Sequence, residues 1–317
     1  MAELSRRPQG TTLVNRAAGV FVITVSLFVV AVTDARDVRD IDETLRPHRV
    51  AIESGDGTSI SGYLYHPEST KPVPAVVMLH GCSGMLTSKY RRLESRETAW
   101  RDIFLAEGYA VLLLDSFTER GYKSICRISL SNRPIEPYRE RPHDAYGALR
   151  WLQTQTFIDP KRIALGGWSN GAMTMLWTVF ANAPQRPKDL KSDFRVAFGF
   201  YPGCITLQKK ATDYIATVPT LLQVGADDNW TWPNPCQALA EEATSRGGQA
   251  IIVDLYEGAA HSFDHPKSKR RTITVSNDRK VQLGTHPEAR AKSIERIKIY
   301  LRSAFQDPWA VPFPHAF

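Results

Sequence analysis

Arg162-Ile163-Ala164-Leu165-Gly166-Gly167-Trp168-Ser169-Asn170-Gly171 is a short aliphatic run that ends in a glycine-framed serine, and an apolar stretch from Asn170 to Ala181 follows it. The run from Arg162 to Leu165 is too short for a helix and reads as a strand buried on both faces, whereas the segment after Ser169 carries a helical pattern. The order is strand, sharp turn, helix, with Ser169 at the bend. Side chains at Gly167 or Gly171 would collide with neighbouring backbone in so tight a turn. The bend lifts the Ser169 hydroxyl clear of a sheet and sets it at a helix N-terminus, where free N–H groups and the macrodipole favour developing negative charge. G-x-S-x-G strings occur often by chance; the flanking strand and helix are what give this one meaning.

Working outward, Val73 to Leu79, Tyr109 to Leu114, Val196 to Phe200, Val218 to Val224 and Ala250 to Leu255 are further continuous apolar runs of strand length. Helical patterns lie between and beyond them, at Glu97 to Ala106, Asp144 to Thr154, Cys236 to Arg246 and Pro287 to Phe305. Ahead of these, Arg49 to Glu53 and Ile60 to His66 alternate around Asp56-Gly57 and predict an edge hairpin. The fold expected is α/β: a mostly parallel, doubly wound sheet with an antiparallel N-terminal hairpin and helices on both faces. Sites in such sheets form outside the carboxyl ends of the strands.

Chemistry-bearing residues do follow strands. A serine hydroxyl needs a base within reach, and His261 in Gly258-Ala259-Ala260-His261-Ser262-Phe263 comes directly after the last core strand. The base needs a carboxylate to fix its tautomer. Gly225-Ala226-Asp227-Asp228 ends another strand, and Asp228 is expected in that role over Asp227, whose carboxylate would then hold the turn by an Asx-type bond. Two backbone donors should face the developing oxyanion: the N–H of Asn170 and one from His80-Gly81-Cys82-Ser83-Gly84, with Cys82 expected and Ser83 the alternative. His80 is read as bracing that loop. Ser83, Trp168 and Trp230 are candidates for the substrate pocket, with Trp232 beside them; Trp151 and Trp177 are expected in the core.

The 317 residues are 43% apolar with a net charge of +7, enough for one large catalytic core. The basic residues are scattered; the densest run, Lys267, Lys269, Arg270 and Arg271, reads as a solvated loop, so no nucleic-acid binding is expected. Arg6, Arg7 and Arg16 precede the apolar stretch Ala17 to Val32, and Thr33-Asp34-Ala35 follows. Residues 1–35 thus read as a signal peptide, or as an N-terminal anchor through residues 17–32. A span usually needs about 20 apolar residues, which favours cleavage. The product would be exported, periplasmic or secreted, touching membrane only through that segment if it is retained. Residues 36–48 read as a linker, 49–306 as the catalytic domain and 307–317 as an apolar, Pro-rich tail lying against the domain surface. Cys82, Cys126, Cys204 and Cys236 suit an oxidising compartment. Of three pairings, Cys82 with Cys126 and Cys204 with Cys236 is expected, because each pair joins loops at the same end of the sheet; four free thiols are the alternative.

His80-Gly81-Cys82-Ser83-Gly84, Asp115-Ser116-Phe117, the Gly167 to Gly171 elbow, Phe200-Tyr201-Pro202-Gly203-Cys204, Gly225 to Asp228 with Trp230-Thr231 and Pro235-Cys236, and Gly258 to Asp264 together resemble the dienelactone hydrolase family of α/β-hydrolases. The resemblance runs from about Val50 to Phe305. It implies a hydrolase of small esters or lactones, needing no metal or cofactor, with the triad Ser169, Asp228 and His261. The chain departs from members that open dienelactone itself by carrying Ser169 in place of Cys, and its cysteines resemble those of an exported subgroup. The segment Ser116 to His143, with Arg120, Arg127, Arg133, Arg139 and Arg141, is the only insert able to cap the site; one of these arginines is a candidate for a substrate carboxylate, against a solvated loop. An acyltransferase or peptidase with the same triad, or a silent exported binding protein on this fold, are the competing readings.

Overall fold

The computed structural model describes residues 47–87, 92–275 and 278–306. The expected signal peptide or anchor (1–35), all but the end of the linker and the C-terminal tail (307–317) lie outside the described residues. The chain order is β1 (His48–Glu53), β2 (Ser59–Tyr65), β3 (Val73–Leu79), α1 (Ser95–Ala106), β4 (Ala110–Asp115), α2 (Glu140–Gln153), β5 (Ile158–Trp168), α3 (Asn170–Thr178), β6 (Val196–Phe200), α4 (Cys204–Lys210), β7 (Thr220–Gly225), α5 (Asn234–Ser245), β8 (Ile251–Tyr256), β9 (Arg271–Thr274), β10 (Lys280–Leu283) and α6 (Pro287–Gln306).

Eight strands form one sheet in the order β1-β2-β4-β3-β5-β6-β7-β8. β1 pairs antiparallel with β2, and β2 antiparallel with β4, while every pairing from β4 through β3, β5, β6 and β7 to β8 is parallel. The hairpin is therefore an antiparallel flap on a parallel sheet, as its alternation predicts. Successive residues of β3 divide between the faces: Ala75, Val77 and Leu79 pack with Leu149, Met175 and Leu239, while Val76 and Met78 pack with Trp100, Phe104 and Tyr300. Helices α2, α3, α4 and α5 cover the first face and α1 and α6 the second, so both faces are dry and the strands read as unbroken apolar runs. Trp177 lies in the first layer and Trp151 packs against it.

Differences from the expected boundaries have local causes. Helix α2 begins at Glu140, ahead of the predicted Asp144, because Pro142 sits in its first turn, where a missing N–H costs no intrahelical bond. Helix α3 stops at Thr178, short of Ala181, and Phe180 forms a bridge with Ala216 instead. Helix α4 and the β9–β10 hairpin went unread. Helix α4, with 7 residues, is too short to show periodicity. The β9–β10 hairpin is short and mostly polar, and its pairing registers Lys280 with Thr274 and Leu283 with Arg271. The basic run expected as a solvated loop thus ends in a strand, and Arg270 donates to Gly258 O at 2.9 Å and Gln282 Oε1 at 3.0 Å. Among the described residues no helix is long and apolar enough to cross a membrane.

Candidate active site

Strand β5 ends at Trp168, and Ser169 occupies the bend with φ 50° and ψ −114°. That conformation is strained for a residue with a side chain and is seen mainly where surrounding contacts impose it. Here the Ser169 N–H donates to Phe200 O at 2.9 Å and its carbonyl accepts from Met173 N–H at 2.9 Å. The two glycines are sterically required: a Cβ on Gly167 would stand 2.5 Å from the Gly171 carbonyl carbon, and one on Gly171 would stand 2.1 Å from Leu79 O.

His261 Nε2 lies 3.1 Å from Ser169 Oγ, and its Nδ1 lies 2.8 Å from Asp228 Oδ2. The His261 ring is boxed by Tyr201 at 4.4 Å and Trp230 at 4.7 Å between ring centres. The loops carrying Asp228 and His261 can approach because Gly225 has no side chain; a Cβ there would meet Ala259 O at 2.3 Å. Asp228 also accepts the N–H groups of Trp230 at 2.8 Å and Thr231 at 2.9 Å through Oδ1. Burial pushes its carboxyl pKa up, but the His261 charge and hydrogen bond, with the Thr231 bonds, outweigh that and hold it below the ordinary carboxylate value. One expectation fails in detail. The turn is held by Asp228 itself, whereas Asp227 is half exposed and faces Arg270 at 3.3 Å. The missed partner is Thr231, which stands in the family-like motif beside Trp230 without an assigned role: its Oγ1 lies 2.9 Å from Asp228 Oδ2 and 3.0 Å from His261 Nδ1.

The amides of Cys82 and Asn170 donate in none of the hydrogen bonds found among the described residues, which leaves both available at the mouth of the site. Disulfides join Cys82 to Cys126 and Cys204 to Cys236. The first ties the loop after β3 to the segment after β4, where Ile125 N–H also donates to Cys82 O at 2.8 Å. The second links the starts of α4 and α5, behind Gly203.

Ser169 opens onto two connected lobes. One has a volume of about 520 Å³ and a wall that includes Met173, Ile205, Trp230, Trp232, Arg133 and Arg279. The other, of about 380 Å³, is bordered by Gly81, Ser83, Arg127, His261, His265 and Ile273. The β9–β10 hairpin thus roofs both lobes. Trp168 does not wall the pocket as expected. It is fully buried in the opposite layer, and its Nε1 donates to Asp264 Oδ2 at 2.8 Å, beside the Trp100 indole, which donates to the same oxygen at 2.9 Å. The strand period explains this: with Ser169 facing the site, the preceding side chain points into the α1/α6 layer. The arginines of the capping segment also separate. Arg120 pairs with Asp144 and Asp56, Arg139 with Glu136 and Glu140, Arg141 is buried, and only Arg127 and Arg133 reach the lobes.

His80 braces its loop: Nε2 accepts the Ser116 N–H at 3.2 Å and Nδ1 donates to Gly81 O at 2.7 Å. Burial, then the Arg141 and Arg96 charges, push its pKa well below the ordinary 6.5. Below 6.5 the unfolded chain takes up this proton and the folded chain does not. The stabilisation is therefore complete above that pH and is lost as pH falls, at up to about 1.4 kcal/mol per pH unit. Urea melts between about pH 7 and 5 should show this slope, and His80→Gln, which keeps an acceptor and a donor, should flatten it; an unaltered slope in the variant would refute the assignment.

Residues 60–305 match the model of the dienelactone hydrolase family. The chain belongs to the dienelactone hydrolase family. Among curated proteins, this family member is 31% identical over 133 residues to the quorum-quenching protein AidA of Acinetobacter baumannii (strain MDR-ZJ06), a match spanning 42% of this chain and only 39% of that protein. Among solved structures it resembles a dienelactone hydrolase-like promiscuous phosphotriesterase from metagenomic libraries, with TM-score 0.60 and 21% identity over 82% of this chain and 99% of that one. It also resembles esterase 2 of Thermogutta terrifontis phosphoramylated by tabun, with TM-score 0.56 and 18% identity over 81% of this chain and 94% of that one. At such identities the structures establish the fold. Among the described residues no group of His, Cys, Asp and Glu is placed to hold a metal ion.

Proposed function

We propose that this chain is a serine hydrolase that cleaves a small carboxylic ester or lactone through an acyl-enzyme on Ser169. The observation that carries the reading is the continuous line of contacts from Ser169 Oγ through His261 to Asp228, at 3.1 and 2.8 Å. His261 takes the Ser169 proton as Oγ attacks the carbonyl carbon, while the Asn170 and Cys82 amides hold the oxyanion. The tetrahedral adduct then collapses, the ester C–O bond breaks, and the leaving oxygen receives the proton from His261. Water attacks the acyl-enzyme by the same route, which regenerates the serine. Asp228 stays anionic throughout and stabilises the imidazolium. Trp230 borders both lobes, so acyl and leaving groups have separate places on either side of Ser169.

A fluorophosphonate probe should label the intact protein on Ser169, and an activated ester should release a burst of alcohol before steady turnover. Absence of both from folded protein would overturn the reading in favour of a silent binding protein. Diversion of the acyl group to added alcohols or amines would move the chain to acyl transfer. The family resemblance, the disulfides and the N-terminal pattern support an exported catalytic domain over residues 49–306 preceded by a cleaved signal, since such bonds persist in oxidising compartments.

Among the described residues the wall of the larger lobe carries Arg133 and Arg279 and no acidic side chain. Arg133 is half-buried and donates through Nε to Ile128 O at 3.3 Å, with no carboxylate paired to it among the described residues. We assign it to an anionic group on the substrate. A charge-assisted bond of this kind contributes about 1.5–3 kcal/mol, so Arg133→Gln should raise KM at least about tenfold for a carboxylate-bearing ester and leave a neutral ester nearly unchanged. Equal effects on the two esters would exclude the assignment.

A further inference from the structure

Arg141 is fully buried, yet no carboxylate lies within ion-pair distance of it among the described residues. Its two terminal nitrogens hold two different loops: Nη1 donates to Asn170 Oδ1, and Nη2 donates to His80 O at 2.8 Å. The guanidinium carbon stands over the Phe117 ring, 5.2 Å from its centre, and among the described residues Nε has no hydrogen-bond partner. Neighbouring carboxylates are engaged elsewhere. Asp144 accepts two bonds from Arg120, and Asp115 accepts the Phe117 and Thr118 N–H groups. Burial pushes the Arg141 pKa down to about 9, which leaves the group cationic at neutral pH. A buried cation that hydrogen-bonds only to neutral oxygens is a costly arrangement, because the attraction of Asp144 and Asp115 offsets its desolvation only in part.

The two acceptors belong to the two loops that supply the oxyanion donors. Asn170 carries one donor on its own N–H, and His80 stands two residues before Cys82, which carries the other. We infer that Arg141 is a positioning residue for the oxyanion site, a single planar fork that sets the two donor loops relative to each other and places a positive charge behind them. The inference rests on the Ser169 mechanism proposed above. In the resting protein Asp144 and Asp115 attract the charge only from beyond ion-pair distance; when the carbonyl oxygen becomes an alkoxide, an anion forms on the far side of the same two loops. The attraction is present in the transition state and absent with neutral substrate, so it acts on kcat rather than KM. A lysine has a point charge and cannot reach both loops with the guanidinium's fixed geometry.

The test uses the full chain. Arg141→Met should lower kcat on a neutral ester about 10²-fold, the scale of one lost oxyanion donor, with KM within about threefold, and should weaken a trifluoromethyl ketone, whose adduct carries the oxyanion, in proportion to kcat. Arg141→Lys should fall between. Asn170→Asp leaves Arg141 in place and sets a carboxylate against it, so it should lower kcat and ketone affinity in the same proportion with little change in thermal stability. If Arg141→Met does not fold, Arg141→Lys and Asn170→Asp decide. Wild-type kcat in any folded member of the set, or loss of kcat with unchanged ketone affinity, would overturn the inference. Failure of wild type to label with fluorophosphonate would instead overturn the Ser169 mechanism itself, so the two failures are distinguishable.

Discussion

Ser169→Ala is expected to lower kcat by about 10⁶-fold with little change in KM, and Asp228→Asn by about 10⁴-fold. The difference in size follows from the roles. Without Oγ there is no acyl-enzyme, and only oriented water and the oxyanion donors remain. Without the Asp228 charge the hydroxyl is still 3.1 Å from His261 Nε2, but the imidazole loses the partner that fixes its tautomer and balances its proton. Asp228 is 1% exposed, so an uncharged amide there cannot recruit solvent to do this work. Because the residues act as one unit, the double variant should be scarcely worse than Ser169→Ala alone. Asp227→Asn should be nearly neutral, its carboxylate facing Arg270 at the surface. Steady-state kinetics on an activated ester would decide the matter, and retention of more than about 1% of kcat by Ser169→Ala would remove the serine from the mechanism.

Removing the Cys82–Cys126 disulfide is expected to destabilise the protein by about 4 kcal/mol on chain-entropy grounds, given a loop of 44 residues. For a domain of this size that corresponds to a fall in Tm of roughly 8–16 °C. The bond also joins the loop after β3, proposed to supply an oxyanion donor, to the small cluster of Phe117, Ile125 and Ile135. Cys82→Ala/Cys126→Ala should therefore lose kcat as well as stability, although Ile125 N–H continues to hold Cys82 O. Cys204–Cys236 closes a loop of similar size, with a separation of 32, but it ties the starts of α4 and α5 rather than the donor loop. Its removal should lower Tm comparably and cost less kcat. Thermal unfolding and kinetics of the two double variants would test this; equal losses of kcat, or a Tm unchanged within about 2 °C in the first, would contradict it.

Much of this architecture was legible because it is written in local chemistry. The aliphatic runs that became β3, β6 and β7 are unbroken because both sheet faces are covered, and a strand buried on both sides leaves no polar alternation to confuse with a loop. The Gly167 to Gly171 bend was legible because only glycine fits there. The chain order of Ser169, Asp228 and His261 could be read because each follows a strand that the pattern already marks. Trp168 was misplaced for a reason of the same kind: proximity in sequence to Ser169 suggested the pocket, while the strand period turned its indole to the far layer, onto Asp264. The hairpin of β9 and β10 was hidden because strands this short and polar look like surface loop until they have something to cover.

From its residues alone the chain determined a parallel sheet with an antiparallel edge and a glycine-framed bend at Ser169, since those depend on short-range sterics and on the period of apolar residues. Tertiary structure decided that Asp228 rather than Asp227 meets His261, that Thr231 joins them, that Arg133 reaches the cavity while Arg120 and Arg139 are spent on ion pairs, and that Arg141 lies beneath both donor loops. These are contacts between segments tens of residues apart, and hydrogen bonds and ion pairs act only over a few ångströms. No spacing in the sequence can therefore encode them before the sheet brings the loop ends together.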